Sequence, residues 1–509
     1  MRASGILLPV SSLPSRFGIG CFSAEAYEFV DQLVRAGQRY WQILPLGPTG
    51  YGDSPYQSFS TFAGNPYFID LEAFIKEGYL EESDCEDCDW GGNESYVDYE
   101  KIYNSRFRLL RKAFEKYDCQ ADSEYQKFVK ENAAWLEDYC LYMAIKDSLG
   151  GISWIEWPAE LKNREKTALG EAGEKLSREV EFYRFQQYWF FKQWTELKTY
   201  ANEHGVEIIG DVPIYVAFDS ADAWSQPELF QFDKENLPIG VAGCPPDAFS
   251  ATGQLWGNPL YDWDYHKKTE YAWWTRRMAN CMKLYDVVRI DHFRGFDEYY
   301  FIPYGDKTAE FGHWEKGPGI ELFRTLEKNL GKLNVIAEDL GLLTDSVIQL
   351  VEESGFPGMK VLQFAFDANE DSPYLTHRYE RNCIVYTGTH DNETTRGWFR
   401  NLNQHDRNFA KAYIGCEGKH ETAAVWSLIR AAMSSVADRC VIPVQDYLCL
   451  GNEARINEPS TLGDNWKWRM KKGQLTEETI KKIYKMTKLY GRIVKQEENG
   501  SEDTKETDK

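Results

Sequence analysis

Eight short apolar segments, rich in β-branched residues and bounded by turn residues, are spread along the whole chain. Such segments are typical of strands that are buried on both faces in a parallel sheet. They are Gly5–Val10, Tyr40–Leu46, Val206–Val216, Asp286–His292, Asn334–Leu340, Met359–Phe366, Cys383–Thr389 and Cys440–Gln445. The sequence therefore predicts eight buried strands.

Helical patterns separate most of these segments. They cover Ala24–Arg35, Tyr183–His204, Trp273–Leu284, Ile320–Asn329, Thr344–Ser354 and Thr422–Ala437. Strands that alternate with helices form a parallel sheet, because each helix carries the chain back to the starting edge of the sheet. Eight such strands predict an α/β fold of the closed (β/α)8, or TIM, barrel type.

The chain has 509 residues, whereas a typical barrel needs only about 250, so we expect insertions. A mainly helical insertion is predicted over 66–182, where Tyr99–Tyr117 and Glu124–Ser148 have helical patterns. An irregular, loop-rich insertion with active-site loops is predicted over 217–272. The barrel would then comprise 1–65, 183–216 and 273–496, followed by a disordered tail over 497–509.

Composition excludes several classes of partner. The net charge of −22 disfavours nucleic acids and anionic membranes, because both are bound mainly by clustered Lys and Arg. No apolar stretch of 18 residues and no leader pattern is present, so we expect a soluble cytoplasmic protein. We also expect a monomer or a weak homodimer. The 11 Cys are interpreted as reduced thiols, and the isolated pair Cys85 and Cys88 does not favour a zinc site.

Acidic residues gather at the predicted carboxyl ends of the strands, which is where barrel enzymes place their working groups. Three chemistries could use such a rim. A metal-dependent hydrolase would need His-rich ligand sets, but the chain has 8 His and neither H-x-H nor H-E-x-x-H spacing. A nucleophilic Ser or Cys hydrolase would show a G-x-S-x-G elbow, and none is found. Glycosyl transfer by paired carboxylates needs no cofactor, and it agrees with the 17 Trp, 31 Tyr and 28 Phe.

Seven motifs carry a resemblance to a known family. They are Gly52–Ser60 (GDSPYQSFS), Leu255–Pro259 (LWGNP), Arg289–Gly295 (RIDHFRG), Ala337–Gly341 (AEDLG), Val361–Phe366 (VLQFAF), Thr389–Asn392 (THDN) and Gly463–Arg469 (GDNWKWR). Together they resemble the 4-α-glucanotransferases, or amylomaltases, of glycoside hydrolase family 77 in the α-amylase clan. The resemblance runs from Gly5 to about Arg469.

The resemblance implies roles for three carboxylates. Asp291 matches the nucleophile, Glu338 the general acid/base, and Asp391 the third carboxylate, which grips sugar hydroxyls. Strand alternation turns Asp339 to the face opposite Glu338, so both cannot serve as the acid. The other predicted substrate-binding residues are Arg289, His292, His390, Asp211, Tyr56, Asp247, Phe249, Gln254, Trp256, Phe366, Asp367 and Asn457.

Among these residues, Asp247, Phe249, Gln254 and Trp256 belong to a predicted lid loop, Cys244–Trp256. Tyr56 and Phe366 are predicted to stack on sugar rings. The family usually has Pro-Gly-Thr where this chain has Pro459, Ser460 and Thr461, close to Asn457.

The activity implied is disproportionation of α-1,4-glucans and maltooligosaccharides through a covalent glucosyl-enzyme, with retention of configuration and without metal or cofactor. A retaining α-glucan hydrolase of the same clan is the alternative. A carbohydrate-binding protein without catalysis is disfavoured, because all three carboxylates are present.

Overall fold

The structure is a computed structural model that describes residues 2–50, 52–246, 250–341, 343–418 and 420–494. Twelve strands lie in the described part of the chain. They are β1 (Ala3–Leu7), β2 (Tyr40–Gln42), β3 (Glu207–Pro213), β4 (Gly240–Cys244), β5 (Gln254–Pro259), β6 (Val287–Asp291), β7 (Glu298–Pro303), β8 (His313–Lys316), β9 (Val335–Ala337), β10 (Gly358–Val361), β11 (Cys383–Tyr386) and β12 (Arg439–Pro443).

Eight of these strands close into a barrel in the order β1-β12-β11-β10-β9-β6-β3-β2. Every neighbouring pair in the barrel is parallel. Each of the eight predicted segments overlaps one barrel strand. The predicted (β/α)8 barrel is therefore confirmed.

The barrel interior is filled by side chains from all eight strands. The buried cluster contains Ala3, Leu7, Tyr40, Ile209, Val287, Ile336, Met359, Val361, Ile384, Tyr386 and Val441. A larger cluster packs the outer faces of the strands against the helices. Because both faces of the sheet are buried, the strands have continuous apolar runs rather than an alternation of apolar and polar residues.

Helices surround the barrel. They are α1 (Ala24–Arg35), α2 (Leu71–Lys76), α3 (Glu82–Glu86), α4 (Tyr99–Lys116), α5 (Ser123–Ser148), α6 (Ala159–Lys162), α7 (Lys166–Lys175), α8 (Ser177–Glu203), α9 (Ala221–Ser225), α10 (Trp263–Lys268), α11 (Ala272–Leu284), α12 (Ile320–Leu330), α13 (Asp345–Ser354), α14 (Thr395–Asn401), α15 (Gln404–Tyr413), α16 (Glu421–Ser434), α17 (Val444–Tyr447) and α18 (Glu477–Leu489). All the predicted helices are present, with ends that differ by a few residues.

The long intervals between barrel strands differ in structure. The interval 66–182 contains α2 to α7, whereas 217–272 contains two short helices together with β4 and β5. Strands β4 and β5 join β7 and β8 in a four-stranded antiparallel sheet of order β5-β4-β7-β8. This sheet was not predicted from the sequence. The division of the chain into domains stays a prediction, and the predicted tail over 497–509 lies outside the described residues.

Among the helices of the described residues, none is both long enough and apolar enough to span a membrane.

Candidate active site

A cleft of about 2190 Å³ opens at the carboxyl ends of the barrel strands. Of the predicted site residues, Tyr56, Gln254, Trp256, Asp291, His292, His390, Asp391 and Asn457 line it. The cleft continues past these residues along the helical segment, where Tyr96, Tyr103 and Phe107 contribute to its wall. Its volume is larger than that of a typical small-molecule pocket, which suits an extended ligand better than a single small molecule.

Asp291 is the last residue of β6, and a buried arginine holds it. Arg289 lies two residues earlier on the same face, directly opposite Asp211 of β3. Its Nη1 lies 2.7 Å from both Asp211 oxygens and 3.0 Å from Oδ1 of Asp291. The Arg289 and Asp211 side chains are 3% and 0% exposed. One cation therefore orients two carboxylates.

Glu338 follows β9 and faces Asp291 from the neighbouring strand. Its Oε2 accepts a hydrogen bond of 2.7 Å from the His292 N–H, and its Oε1 accepts one of 3.0 Å from the Leu340 N–H. Burial raises the pKa of Glu338, and the charge of Asp291 raises it further. Glu338 is therefore held as a protonated acid near neutral pH.

Burial also raises the pKa of Asp291, but the Arg289 cation opposes that effect. Because Arg289 contacts Asp291 directly and not Glu338, a proton shared between the two carboxyl groups resides mainly on Glu338. Asp291 is thus the ionised carboxylate and Glu338 the neutral acid, and retaining glycosyl transfer requires one group in each of these states.

Asp391 lies in the loop between β11 and α14 and is held on two sides. Its Oδ2 is 3.1 Å from Nε2 of His390, and its Oδ1 accepts a hydrogen bond of 2.6 Å from Nδ2 of Asn457. Burial alone would raise the pKa of Asp391, but His390 and Asn457 outweigh it and lower the pKa to about 2. Asp391 is ionised throughout the physiological range.

Tyr56 joins the two carboxylate clusters. Its hydroxyl donates to Oδ2 of Asp211 at 2.8 Å and lies 2.8 Å from Nε2 of His390. Its ring stacks on the His390 ring, with centroids 5.3 Å apart and planes inclined by 15°. Strand β3, which carries Asp211, and the loop that carries His390 and Asp391 are thereby connected at the mouth of the barrel.

His292 has a left-handed backbone conformation, with φ 53°. This conformation directs its N–H to Glu338 and its ring to the cleft, where Trp256 meets it edge-on at 4.9 Å between ring centroids. Burial lowers the pKa of His292 to about 3, so the ring is neutral. Trp256 also donates from Nε1 to Oε1 of Gln254 at 3.1 Å.

Four predicted substrate-binding residues do not line the cleft. Arg289 and Asp211 are buried against each other, whereas Phe366 and Asp367 lie elsewhere. Phe366 is 3% exposed, and its ring packs on Trp398, Phe409 and Tyr413 in the core. Asp367 is exposed and accepts a hydrogen bond from the Asn369 N–H within its own turn. The positions of Phe366 and Asp367 do not support their predicted contacts with substrate. Asp247 and Phe249 lie outside the described residues.

The structure also adds residues that the sequence analysis did not select. Tyr215, Arg455 and Trp466 line the cleft. Trp466 has a left-handed backbone, with φ 66°, and its ring centroid lies 5.7 Å from that of Tyr56. Trp466 belongs to the motif GDNWKWR, so this motif could have indicated Trp466 as a site residue.

Asp446 is a further residue of the site that was not predicted from the sequence. It is buried under the loop that carries Asp391, and its Oδ2 accepts hydrogen bonds from the hydroxyls of Thr387 and Thr395, at 2.6 and 2.5 Å. These two threonines flank the loop, so Asp446 fixes both of its ends.

The described residues contain no group of three or more His, Cys, Asp or Glu arranged to hold a metal ion.

Comparison with known proteins identifies the family. The family model described as 4-alpha-glucanotransferase matches residues 8–476. The chain belongs to this family, glycoside hydrolase family 77.

Relatives agree over nearly the full length of this family member. The 4-alpha-glucanotransferase of Clostridium butyricum is 49% identical over 484 residues, which cover 95% of this chain and 99% of the relative. The 4-alpha-glucanotransferase of Thermus thermophilus is 46% identical over 501 residues, which cover 97% of this chain and 99% of the relative.

A solved structure is also similar over nearly the whole chain. The amylomaltase of Streptococcus agalactiae in complex with acarbose superposes with a TM-score of 0.94 at 42% identity, covering 97% of this chain and 100% of that one. The predicted enzyme class, a hexosyl-transferring 4-α-glucanotransferase, is therefore confirmed over the hydrolase alternative.

Proposed function

We propose that the chain transfers a segment of an α-1,4-glucan to the 4-hydroxyl of another glucan or of glucose, with Asp291, Glu338 and Asp391 as the catalytic residues. The observation that carries this proposal is the contrast between two neighbouring carboxyl groups. Asp291 contacts the Arg289 cation, whereas Glu338 is buried with a raised pKa.

In the first step, Glu338 donates its proton to the glycosidic oxygen of the donor while a carboxylate oxygen of Asp291 attacks the anomeric carbon. The bond between the anomeric carbon and the leaving oxygen breaks, and an ester bond to Asp291 forms. The shortened glucan leaves with the proton. Arg289 keeps Asp291 ionised and aligned for the attack.

In the second step, Glu338 is a carboxylate and removes the proton from the 4-hydroxyl of the acceptor. That oxygen attacks the anomeric carbon, and the Asp291 carboxylate leaves. Each step inverts the anomeric centre, so the α-linkage is retained. Both carboxyl groups return to their starting protonation states.

Asp391 and His390 would bind hydroxyls of the sugar at the cleavage point. Asp391 accepts hydrogen bonds, since its pKa of about 2 keeps it ionised. Asn457 and His390 fix its two oxygens in place. Charged hydrogen bonds that strengthen as the sugar ring distorts would stabilise the transition state.

Transfer requires that a sugar hydroxyl outcompetes water, which is present at about 55 M, so the acceptor must be held at high effective molarity. The aromatic residues Tyr215, Trp256 and Trp466 on the cleft wall would bind acceptor sugars through their apolar ring faces and exclude water. The acarbose complex of the Streptococcus agalactiae amylomaltase supports a glucan-like ligand for this cleft.

Two further expectations belong to this proposal. We place the enzyme in the cytoplasm, where maltooligosaccharides would be its substrates, and we expect a monomer or a weak homodimer. Fractionation of cells and sedimentation of the purified protein test these two expectations.

Product analysis with maltotriose tests the proposed function. Glucose together with maltotetraose and longer maltooligosaccharides is the expected product set. The variant Asp291→Asn should lose about 10⁴-fold or more in rate while its circular dichroism spectrum is unchanged. Glucose and maltose as the only products would contradict transfer and favour the hydrolase alternative.

A further inference from the structure

Asp339, the neighbour of Glu338, has no role in the mechanism above, yet the residue is only 9% exposed. Its Oδ1 accepts a hydrogen bond of 2.7 Å from the backbone N–H of Met359 on β10. A buried acidic side chain that bonds to a neighbouring strand is a specific connection rather than a solvated surface group.

This connection lies where the sheet itself ends. On the β6 side, Glu338 is held by main-chain hydrogen bonds, from its own N–H to the Ile290 carbonyl and from the Phe293 N–H to its carbonyl. On the β10 side, β9 pairs through a single register position, Ala337 with Gly358. Beyond that position the main-chain ladder ends, and the Asp339 carboxylate forms the next hydrogen bond to β10.

The carboxylate also fits its place closely. A Cβ atom added to Gly358 would lie 2.3 Å from Oδ2 of Asp339, so only glycine leaves room for the carboxylate against the β10 backbone. The bonded residue, Met359, points into the barrel and places its Sδ 3.4 Å from Nε of Arg289. The Asp339 hydrogen bond thus connects the segment that carries Glu338 to β10, whose Met359 side chain contacts Arg289.

We propose that Asp339 is a positioning residue that sets the Glu338 carboxyl group relative to Asp291. This inference rests on the proposed role of Glu338 as acid and base. Without the Asp339 hydrogen bond, the segment after β9 would be held on the β6 side alone. The Glu338 carboxyl group would then become more mobile and more exposed to solvent. Small displacements of a proton donor lower the rate strongly, because the reaction requires near-attack geometry.

The first test compares Asp339→Ala with Asp339→Asn in the maltotriose assay. Asp339→Ala should lower kcat by about 10- to 100-fold with KM changed less than threefold. Asp339→Asn keeps an oxygen that can accept from Met359, so it should recover kcat to within about threefold of the wild type. Asp262→Ala is the matched control, since it removes a 2.9 Å side-chain bond to the Tyr265 N–H at the start of α10 and should lower Tm without changing kcat.

The pH profile supplies a readout that a merely structural role would not move. The groups that face this region are Asp291 and Arg289 on β6, Lys360 on β10, Cys383 on β11 and Tyr374. Greater solvation of Glu338 in Asp339→Ala should move the alkaline limb of kcat to lower pH, whereas Asp339→Asn should leave it in place. An equal shift in both variants would mean that Asp339 acts by charge, and it would overturn the proposal.

Gly358→Ala perturbs the same contact from the other side and decides the question if Asp339→Ala does not fold. Its Cβ should displace the carboxylate and reproduce the loss of kcat, and the double variant with Asp339→Ala should be no worse than Asp339→Ala alone. Full activity in Asp339→Ala or Gly358→Ala, alongside an inactive Glu338→Gln, would overturn the positioning role only. Full activity in Glu338→Gln would overturn the proposed function itself.

Discussion

Nη1 of Arg289 lies 2.7 Å from both carboxylate oxygens of Asp211, and water reaches almost none of either side chain. The same nitrogen reaches Asp291 at 3.0 Å. A buried cation shared by two acids has both a structural and a chemical role, because each carboxylate would be costly to leave unpaired.

Removing the cation should therefore destabilise the fold. Arg289→Met leaves the buried Asp211 without its counterion, and we expect the free energy of unfolding to fall by about 3–5 kcal/mol. Urea denaturation measures the change. Arg381→Met is the control, because its partner Asp438 lies in an exposed pair at 3.2 Å and its loss should cost less than about 1 kcal/mol. An equal effect in the two variants would contradict the role of the buried pair.

The activity should have a bell-shaped dependence on pH. Glu338 must be protonated to act as the acid, so kcat is lost as pH rises through its raised pKa. Asp291 must be ionised, so kcat is lost as pH falls through its own pKa, which burial also raises. Asp391, with a pKa of about 2, should not contribute to the acid limb.

Initial rates with maltotriose across the pH range measure this profile. Glu338→Gln, assayed with a glucosyl fluoride whose leaving group needs no protonation, should lose the alkaline limb of the first step. An alkaline limb that persists in this variant would assign it to another group.

The hydrogen bond from Asn457 to Asp391 should contribute to catalysis. Asn457→Ala removes a charged hydrogen bond of 2.6 Å, so kcat/KM for maltotriose should fall about tenfold or more. Asn382→Ala provides the comparison, since it removes an exposed amide bond to the Gly355 carbonyl and should leave kcat/KM unchanged. If Asn457→Ala retains the wild-type kcat/KM, the bond has no catalytic role.

The two aromatic residues Trp256 and Phe366 should respond differently. Trp256→Ala should lower kcat/KM about tenfold and raise the share of hydrolysis, because it removes a ring from the cleft wall. Phe366→Leu should lower the free energy of unfolding by about 1 kcal/mol without changing KM, since its ring lies in the core. A changed KM in Phe366→Leu would show that this residue does contact substrate.

The barrel was predictable because its signal is local. Each strand is a short apolar segment between turn residues, and helices with one apolar face separate most of them. The antiparallel sheet gave no such signal. Its strand β4 reads GVAGC, in which two glycines leave little pattern. Strand β7, which pairs with β4, and strand β8, which pairs with β7, come from a distant part of the chain.

The site was predictable where residues belong to motifs at strand ends, as Asp291 and Glu338 do. Phe366 lies away from the cleft because β10 ends at Val361 and a helical turn over Leu362–Phe364 follows, so strand alternation no longer sets the direction of its side chain. Asp446 was missed because its partners, Thr387 and Thr395, are more than 50 residues away and meet it only in the closed barrel.

The central claim, that Asp291 forms a covalent bond to the transferred glucan, can be measured directly. Glu338→Gln incubated with α-maltotriosyl fluoride should form the ester without acid assistance and then accumulate it, because the base for the second step is missing. Peptic digestion at low pH and mass spectrometry should find the maltotriosyl group on the peptide that contains Asp291. A maltotriosyl group on another carboxylate, or fluoride release with no covalent adduct, would contradict the account.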